Sequence, residues 1–184
     1  MGDTFGEFYG SAGHFASDRN FEVQRTNHFE IVIDLDKLNI TSADTLRDHI
    51  RLSTKSITAP KISAEQLELR HGNDIVKVAK APTFDDLTIT VHDTIGKDQL
   101  AVMQAWFEKV FSRDTKLMGM VSDYKTTGTL YMYSPDCSIV RKWHLEGIWL
   151  RSFGQEQFSF DGTGDGQSIS MELSVDRYWE ETSK

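Results

Sequence analysis

Hydrophobic and polar residues alternate along several short stretches of the chain, which is the pattern of strands with one buried face. The most regular stretches are residues 27–35, 86–92 and 168–176. In the third stretch Ile169, Met171, Leu173 and Val175 fall on one side and polar residues fall on the other. These stretches therefore predict strands that pack on a core with one face and meet water with the other.

The period changes at residues 96–112, GKDQLAVMQAWFEKVFS, where apolar residues recur every three to four positions. This spacing predicts an amphipathic helix, at about residues 97–112, that covers one face of a sheet. Residues 36–49 are polar without a clear period, and a helical turn is expected within residues 41–50. The residues assigned to the core are Leu100, Met103, Trp106, Phe107 and Val110 of the helix, and Trp179 of the last strand.

Residues 62–80 form two extended runs around the turn sequence Gly72-Asn73-Asp74. Charges fall on both sides of each run, so the pattern predicts a long hairpin that projects from the domain. Gly147 interrupts a later apolar run and predicts a β-bulge.

The order of elements is strands, one helix and more strands, without the alternation typical of parallel sheets. The sequence predicts a mostly β fold: an antiparallel β-sandwich or barrel-like sheet with one packed helix and an extended hairpin arm. Its 184 residues suit a single domain at 21–184 behind a flexible arm at 1–20. We expect the aromatic residues of the arm either to order on a partner or to fold back on their own domain. They are Phe5, Phe8, Tyr9 and Phe15.

The charge balance and the cysteine content limit the classes of function that the chain can have. The chain has 20 basic and 28 acidic residues, a net charge of −8, which argues against a protein that grips nucleic-acid phosphates over a broad face. A single cysteine, Cys137, excludes an intrachain disulfide, and we expect it to be a buried, inert thiol. The sequence shows neither a secretory signal nor a run of the length of a membrane span.

Several acidic and histidine motifs resemble sites of catalysis or metal binding, but each has a simpler interpretation. Asp85-Asp86 is expected to form a turn before a strand, since adjacent residues of an extended chain point apart. DGTGDG at 161–166 lacks the closing glutamate of a calcium loop. His144 and Glu146 share a strand face and are only weakly suggestive of a site. We predict no enzymatic activity, no metal and no cofactor.

Together these segments resemble a known family. TFDDLTITV at 83–91, the aromatic helix, the strand pair through LEGIWLRSF and the terminal SISMELSVDRYW follow one another as in tail tube proteins of contractile-tailed bacteriophages. The resemblance spans about residues 27–180. It implies a structural virion protein whose hexameric rings stack into the inner tail tube, a conduit for viral DNA during ejection into the host.

The resemblance also implies partners and surfaces. The partners would be other copies of the chain, the tail sheath, baseplate and terminator proteins, and double-stranded DNA that passes without specific binding. Assembly is expected in the host cytoplasm, with no membrane anchor. Four strands from each of six subunits would give a barrel of about 24 strands, roughly 37–48 Å across, which admits duplex DNA. The candidate lumen-facing residues are Thr88, Thr90, Ser168, Ser170, Glu172, Ser174 and Asp176. The candidate contacts between subunits and rings are the four arm aromatics and Glu68, Arg70, Asn73 and Asp74 of the hairpin.

Other functions remain open at this point. A longer arm and a longer connection at 36–58 than in the family leave open a baseplate protein that initiates the tube. An Hcp-like tube protein of a secretion apparatus would share the fold. A monomeric ligand-binding β-barrel, a different class of protein, would instead have an apolar interior cavity and stay a single species of 21 kDa.

Overall fold

A computed structural model describes residues 24–40, 43–95, 99–155 and 166–181, and these described residues form nine strands and two main helices. The strands are β1 (Phe29–Ile33), β2 (Thr54–Ile57), β3 (Ile62–His71), β4 (Asp74–Phe84), β5 (Leu87–His92), β6 (Thr126–Tyr133), β7 (Ile139–Gln155), β8 (Ser168–Ser174) and β9 (Arg177–Glu180). The helices are α1 (Ala43–Ser53), α2 (Gln99–Val110) and the single turn α3 (Val121–Tyr124), with a 3-10 turn at Asp36–Leu38.

Two antiparallel sheets share the long strand β7. The first sheet has the order β1-β6-β7-β9, and the second has the order β7-β8-β5-β2. Gly147 marks the change of sheet. It has a φ of +68° and is left unpaired between Glu146, which pairs with Thr127, and Ile148, which pairs with Thr126. The predicted bulge is thereby confirmed, and it lets one strand serve both sheets.

The core lies between the two sheets and is closed by the helices. Met103 and Trp106 of α2 are fully buried and Val110 is nearly so, while Leu100 and Phe107 are half-buried against them. The predicted core face of α2 is therefore confirmed. The indole N–H of Trp106 also donates a hydrogen bond of 3.0 Å to the backbone carbonyl of Tyr124.

Assigning Trp179 to the core was wrong. Its side chain is 44% exposed, and Tyr178 is buried in its place. The alternating run at 168–180 is not one strand, because β8 ends at Ser174 and β9 begins at Arg177. The two residues between them shift the alternation by one, and such a shift exchanges the buried and exposed faces.

Helix α1 replaces the single turn expected at 41–50. It runs for eleven residues with Ala43, Leu46, His49 and Ile50 buried, a stripe that is short and half polar in sequence. His49 explains how a polar side chain is accommodated there. Its Nδ1 lies 2.6 Å from Ser53 Oγ and its Nε2 lies 2.8 Å from Thr94 Oγ1, and Nε2 also bonds the side-chain amide of Gln99. The imidazole thus ties α1 to the start of α2.

The β3–β4 hairpin stands apart as a two-stranded sheet, as predicted. Most of its side chains are exposed, and its turn is Gly72-Asn73 with a φ of +65° at the glycine. The turn near Cys137 contradicts another expectation, because this thiol is exposed and its residue has a φ of +64°.

Candidate assembly surfaces

The outer face of the second sheet carries a row of small polar side chains. Thr88 and Thr90 of β5 alternate with fully buried Leu87, Ile89 and Val91. Because paired residues of antiparallel strands point to the same side, β5 and β8 together place four of the predicted residues side by side. The pairs are Thr88 with Glu172 and Thr90 with Ser170.

Neighbouring strands extend this row in a way that the sequence did not indicate. Ser56 of β2 pairs with Thr90, and Ser152 of β7 pairs with Glu172, to which its hydroxyl donates a hydrogen bond of 2.9 Å. Ser174 pairs with Trp149 at the end of β8. We call this surface the wall face, and its residues are Ser56, Thr88, Thr90, Ser152, Ser170, Glu172 and Ser174.

Two predicted residues differ from the rest of the wall face. Ser168 pairs with His92 on the same side of the sheet, but only 1% of it is exposed in the single chain. Asp176 lies beyond the end of β8, where both of its carboxylate oxygens accept hydrogen bonds of 2.6 Å from Lys125 Nζ. Of the two acidic residues expected on this face, Glu172 and Asp176, only Glu172 therefore contributes a carboxylate to the wall face.

Each of the two adjacent aspartates before β5 forms an ion pair with a basic side chain. Asp86 accepts a hydrogen bond of 2.6 Å from Arg151, and Asp85 lies 3.4 Å from Lys61 Nζ. The two carboxylates point to different cations, as expected for adjacent residues of an extended chain. Across the described ranges, three or more potential metal ligands are nowhere grouped closely enough to hold an ion.

The second sheet has an open edge on each side. Within the described residues, β2 pairs with β5 alone, and the stretch of β7 from Trp149 to Gln155 pairs with β8 alone. The Thr58 N–H donates to Thr88 O at 2.9 Å, which makes residues 58 and 88 a hydrogen-bonded pair. Alternation then places the N–H of Ile57 on the other side of β2, towards the open edge.

The projecting hairpin has one apolar face, which is a second feature that the sequence did not reveal. Its register pairs Leu67 with Val78 and Leu69 with Val76. Each of these four side chains is between 43% and 52% exposed. We call them the apolar hairpin face. The two-residue turn aligns odd positions of β3 with even positions of β4, so only the register shows that the apolar residues of the two strands meet on one face.

The predicted polar contact residues of the hairpin lie elsewhere on it. Glu68 and Arg70 belong to the opposite face, where Glu68 lies 3.9 Å from Lys77 Nζ. Asn73 and Asp74 are at the tip. The arm residues Phe5, Phe8, Tyr9 and Phe15 fall outside the described residues.

The outer face of the first sheet has a different character from the wall face. Glu181 accepts hydrogen bonds from Lys142 at 2.6 Å and from the His144 ring at 2.8 Å. These bonds hold the pKa of the Glu181 carboxyl below its usual range, and the bond from Lys142 has the larger effect. His144 stacks on Trp179 with ring centroids 5.4 Å apart. Glu146, which was considered with His144 as a possible site, instead pairs with Arg177 at 2.5 Å. This face is a network of ion pairs and rings.

None of the helices in the described ranges is long and apolar enough to cross a membrane.

Comparison with known proteins finds similarity to one tail tube protein in sequence and to proteins of contractile injection systems in fold. No protein-family profile matches the chain. The chain is 25% identical over 137 residues to the tail tube protein gp19 of Enterobacteria phage T4, covering 73% of this chain and 83% of that protein.

Solved structures of contractile injection systems have the same fold. A chain of the sheath–tube complex of an extracellular contractile injection system, PVC, superposes with a TM-score of 0.65 at 14% identity, covering 94% of this chain and 99% of that one. The tube-terminating cap of the anti-feeding prophage gives 0.63 at 13% identity, covering 88% and 92%. The predicted antiparallel β fold and the resemblance to tail tube proteins are thereby confirmed.

Proposed function

We propose that this chain, a tube-forming structural protein of the tail tube class and not an enzyme, closes into hexameric rings that stack into the inner tube of a contractile phage tail. The observation that carries the proposal is the second sheet. It has four strands, an open edge on each side and a polar outer face above a buried inner face.

The direction of the edge strands supports ring closure. Successive strands of the second sheet are antiparallel, so β2 and the second half of β7 run in opposite directions. When β2 of one copy lies beside β7 of the next, the new pair is again antiparallel, because the number of strands is even. Six copies of a four-stranded sheet make a closed barrel of about 24 strands, roughly 37 Å across before strand tilt widens it. Closure also removes the open edges, which are otherwise templates for uncontrolled pairing.

The wall face suits the inside of such a barrel. Its hydroxyl side chains keep the surface wet, and Glu172 adds a carboxylate to each subunit. A lysine or arginine in the channel would bind phosphates and slow the passage of DNA. Arg151 and Lys125, which lie on or near this sheet, are each bound to an aspartate.

Stacking of rings would use the projecting hairpin. The apolar hairpin face exposes four side chains that have no cover in the single chain, and burial against the adjacent ring would remove them from water. Glu68 and Arg70 on the opposite face and Asn73 and Asp74 at the tip would contribute polar contacts at its rim. The aromatic arm would add contacts between subunits.

The wider assembly follows from the same role. The tube would lie inside a tail sheath, grow from a baseplate and end at a terminator protein. It would conduct double-stranded DNA without binding it specifically, and it would be assembled in the host cytoplasm. The second class considered from the sequence, a ligand-binding β-barrel, has less support because buried apolar side chains fill the main core between the sheets, and the cavity beside β2 at the edge of that core is open to water.

A proline at position 57 tests ring closure. Proline lacks an N–H and is tolerated at an exposed strand edge, and the N–H of Ile57 points to the edge that closure would use. We expect Ile57→Pro to remain monomeric, while the wild type and the side-chain control Ile57→Ala form rings of six in negative-stain images.

Ser56→Pro is the matched control for damage within one chain. The hydrogen-bonded pair of residues 58 and 88 and the register of β2 on β5 direct the N–H of Ser56 towards β5. Proline at position 56 should therefore lower the thermal midpoint of the monomer, whereas Ile57→Pro should match Ile57→Ala. Intact six-membered rings from Ile57→Pro would show that β2 does not form the seam between subunits.

A further inference from the structure

A cavity of about 560 Å³ opens beside β2, between the ends of the two sheets, with apolar residues in its floor and polar residues such as Asn27 and Lys55 also in its lining. Its floor is part of the main core: Leu130 is buried, and Phe29, Ile57 and Trp143 pack against the core cluster. Cavities of roughly 300–1,000 Å³ hold ligands the size of drugs. This one therefore has room for two aromatic side chains.

The first described residues of the chain lie at the rim of this cavity. Thr26 and Asn27 line it, and the Gln24 side-chain amide donates a hydrogen bond of 2.6 Å to the carbonyl of Tyr133. Residues 1–23, which lie outside the described residues, therefore join the domain at the mouth of the cavity. An extended chain spans at most about 3.3–3.6 Å per residue. Phe21 is then within roughly 18 Å of Thr26 along the chain, and Phe15 within roughly 40 Å.

We propose that Phe21 and Phe15 of the same chain occupy this cavity. Each aromatic ring can bury roughly 150–250 Å² of surface, and the cavity offers an apolar floor that continues into the core. Tethering keeps the effective concentration of the rings in the millimolar range, which favours them over partners in solution.

The proposal gives Phe15 and Phe21 a place in the free subunit, and it leaves Phe5, Phe8 and Tyr9 for the contacts between subunits proposed above. Thr54 and Ile57 of β2 line the cavity, so rings seated there would pack directly against this four-residue strand. The occupied cavity would hold the open edge of the second sheet in shape before any neighbour arrives. Occupancy within one chain does not depend on ring closure, so it can be tested on monomers whether or not the proposed ring forms.

Thiol accessibility in the cavity provides the test. Cys137 is the only cysteine and is exposed, so Cys137→Ser removes the background reaction. Met132→Cys then places a thiol in the cavity lining, and the rate of its reaction with a maleimide reports whether the cavity is filled. We expect Phe15→Ala with Phe21→Ala to raise this rate at least tenfold. Phe5→Ala with Phe8→Ala, the same pair of substitutions elsewhere in residues 1–23, should alter it less than twofold.

Further measurements separate the alternatives. Equal rates in the two double variants would overturn the proposal. The maleimide rate of Met132→Cys is also measured at several protein concentrations with Phe15 and Phe21 in place. A rate that rises on dilution would mean that the arm of a neighbouring copy fills the cavity, and this result would also overturn the proposal. Thermal unfolding of each variant establishes that the domain is intact, and Ile57→Cys is the second reporter site in case Met132→Cys does not fold.

Discussion

Replacing Leu69 and Val76 by serine should weaken tube growth while leaving the fold of the monomer intact. The two residues pair directly on the apolar hairpin face, and they are 48% and 52% exposed. Together they expose about one whole apolar side chain, whose burial is worth roughly 1.5–3 kcal/mol. If the next ring covers this face, each added subunit loses that amount. Since every 1.4 kcal/mol is a factor of ten, the critical concentration for tube growth should rise roughly 10- to 100-fold.

Pelleting of tubes over a range of protein concentrations measures the critical concentration directly. The matched control is Glu68→Ser with Lys77→Ser, a directly paired change at adjacent positions on the opposite face of the same hairpin. Exposed ion pairs contribute about 0–1 kcal/mol, so this control should shift the critical concentration by less than about fivefold. Thermal midpoints of both monomers should match the wild type. A control that weakens growth as much as the serine pair would refute the assignment of stacking to the apolar hairpin face.

Three further changes test other features. Gly147→Ala should destabilise the chain by about 2–4 kcal/mol in urea unfolding, since φ is +68° and the new Cβ would collide with the Asp176 carboxylate; an unchanged midpoint would contradict the bulge geometry. The hydrogen bond to Glu30 raises the pKa of Tyr133 to about 12. The stability gained from this bond is therefore complete below pH 10 and is lost as the pH rises towards 12. In urea titrations, the free energy of unfolding of Tyr133→Phe should decline less over that pH range than that of the wild type. Glu172→Lys should slow DNA ejection from particles, most strongly at low salt, and wild-type ejection rates at every salt concentration would remove Glu172 from the channel.

The periodicity of hydrophobic residues predicted most strands, the helix α2 and their buried faces, because it shows which side chains of a segment face the core. The alternation of β5 placed Thr88 and Thr90 opposite a buried face, and the helical period placed Met103 and Trp106 in the core. The resemblance to tail tube proteins likewise came from segments that can be recognised one at a time. Helix α1 was underestimated because polar residues such as His49 interrupt its stripe, and its partners Thr94 and Gln99 lie more than 40 positions away.

What the sequence by itself determined is the period of each element, its buried side and its polar side, since these depend on neighbours along the chain. Tertiary structure alone decided which strands share a sheet and in what register. Pairing of β7 with β8 added Ser152 to the wall face, the register of β3 on β4 created the apolar hairpin face, and the break between β8 and β9 left Trp179 exposed. The physical reason is that a side chain's face is fixed by local geometry, whereas register depends on turns, bulges and strand breaks. A shift of one residue at such a point exchanges every inside position with an outside one.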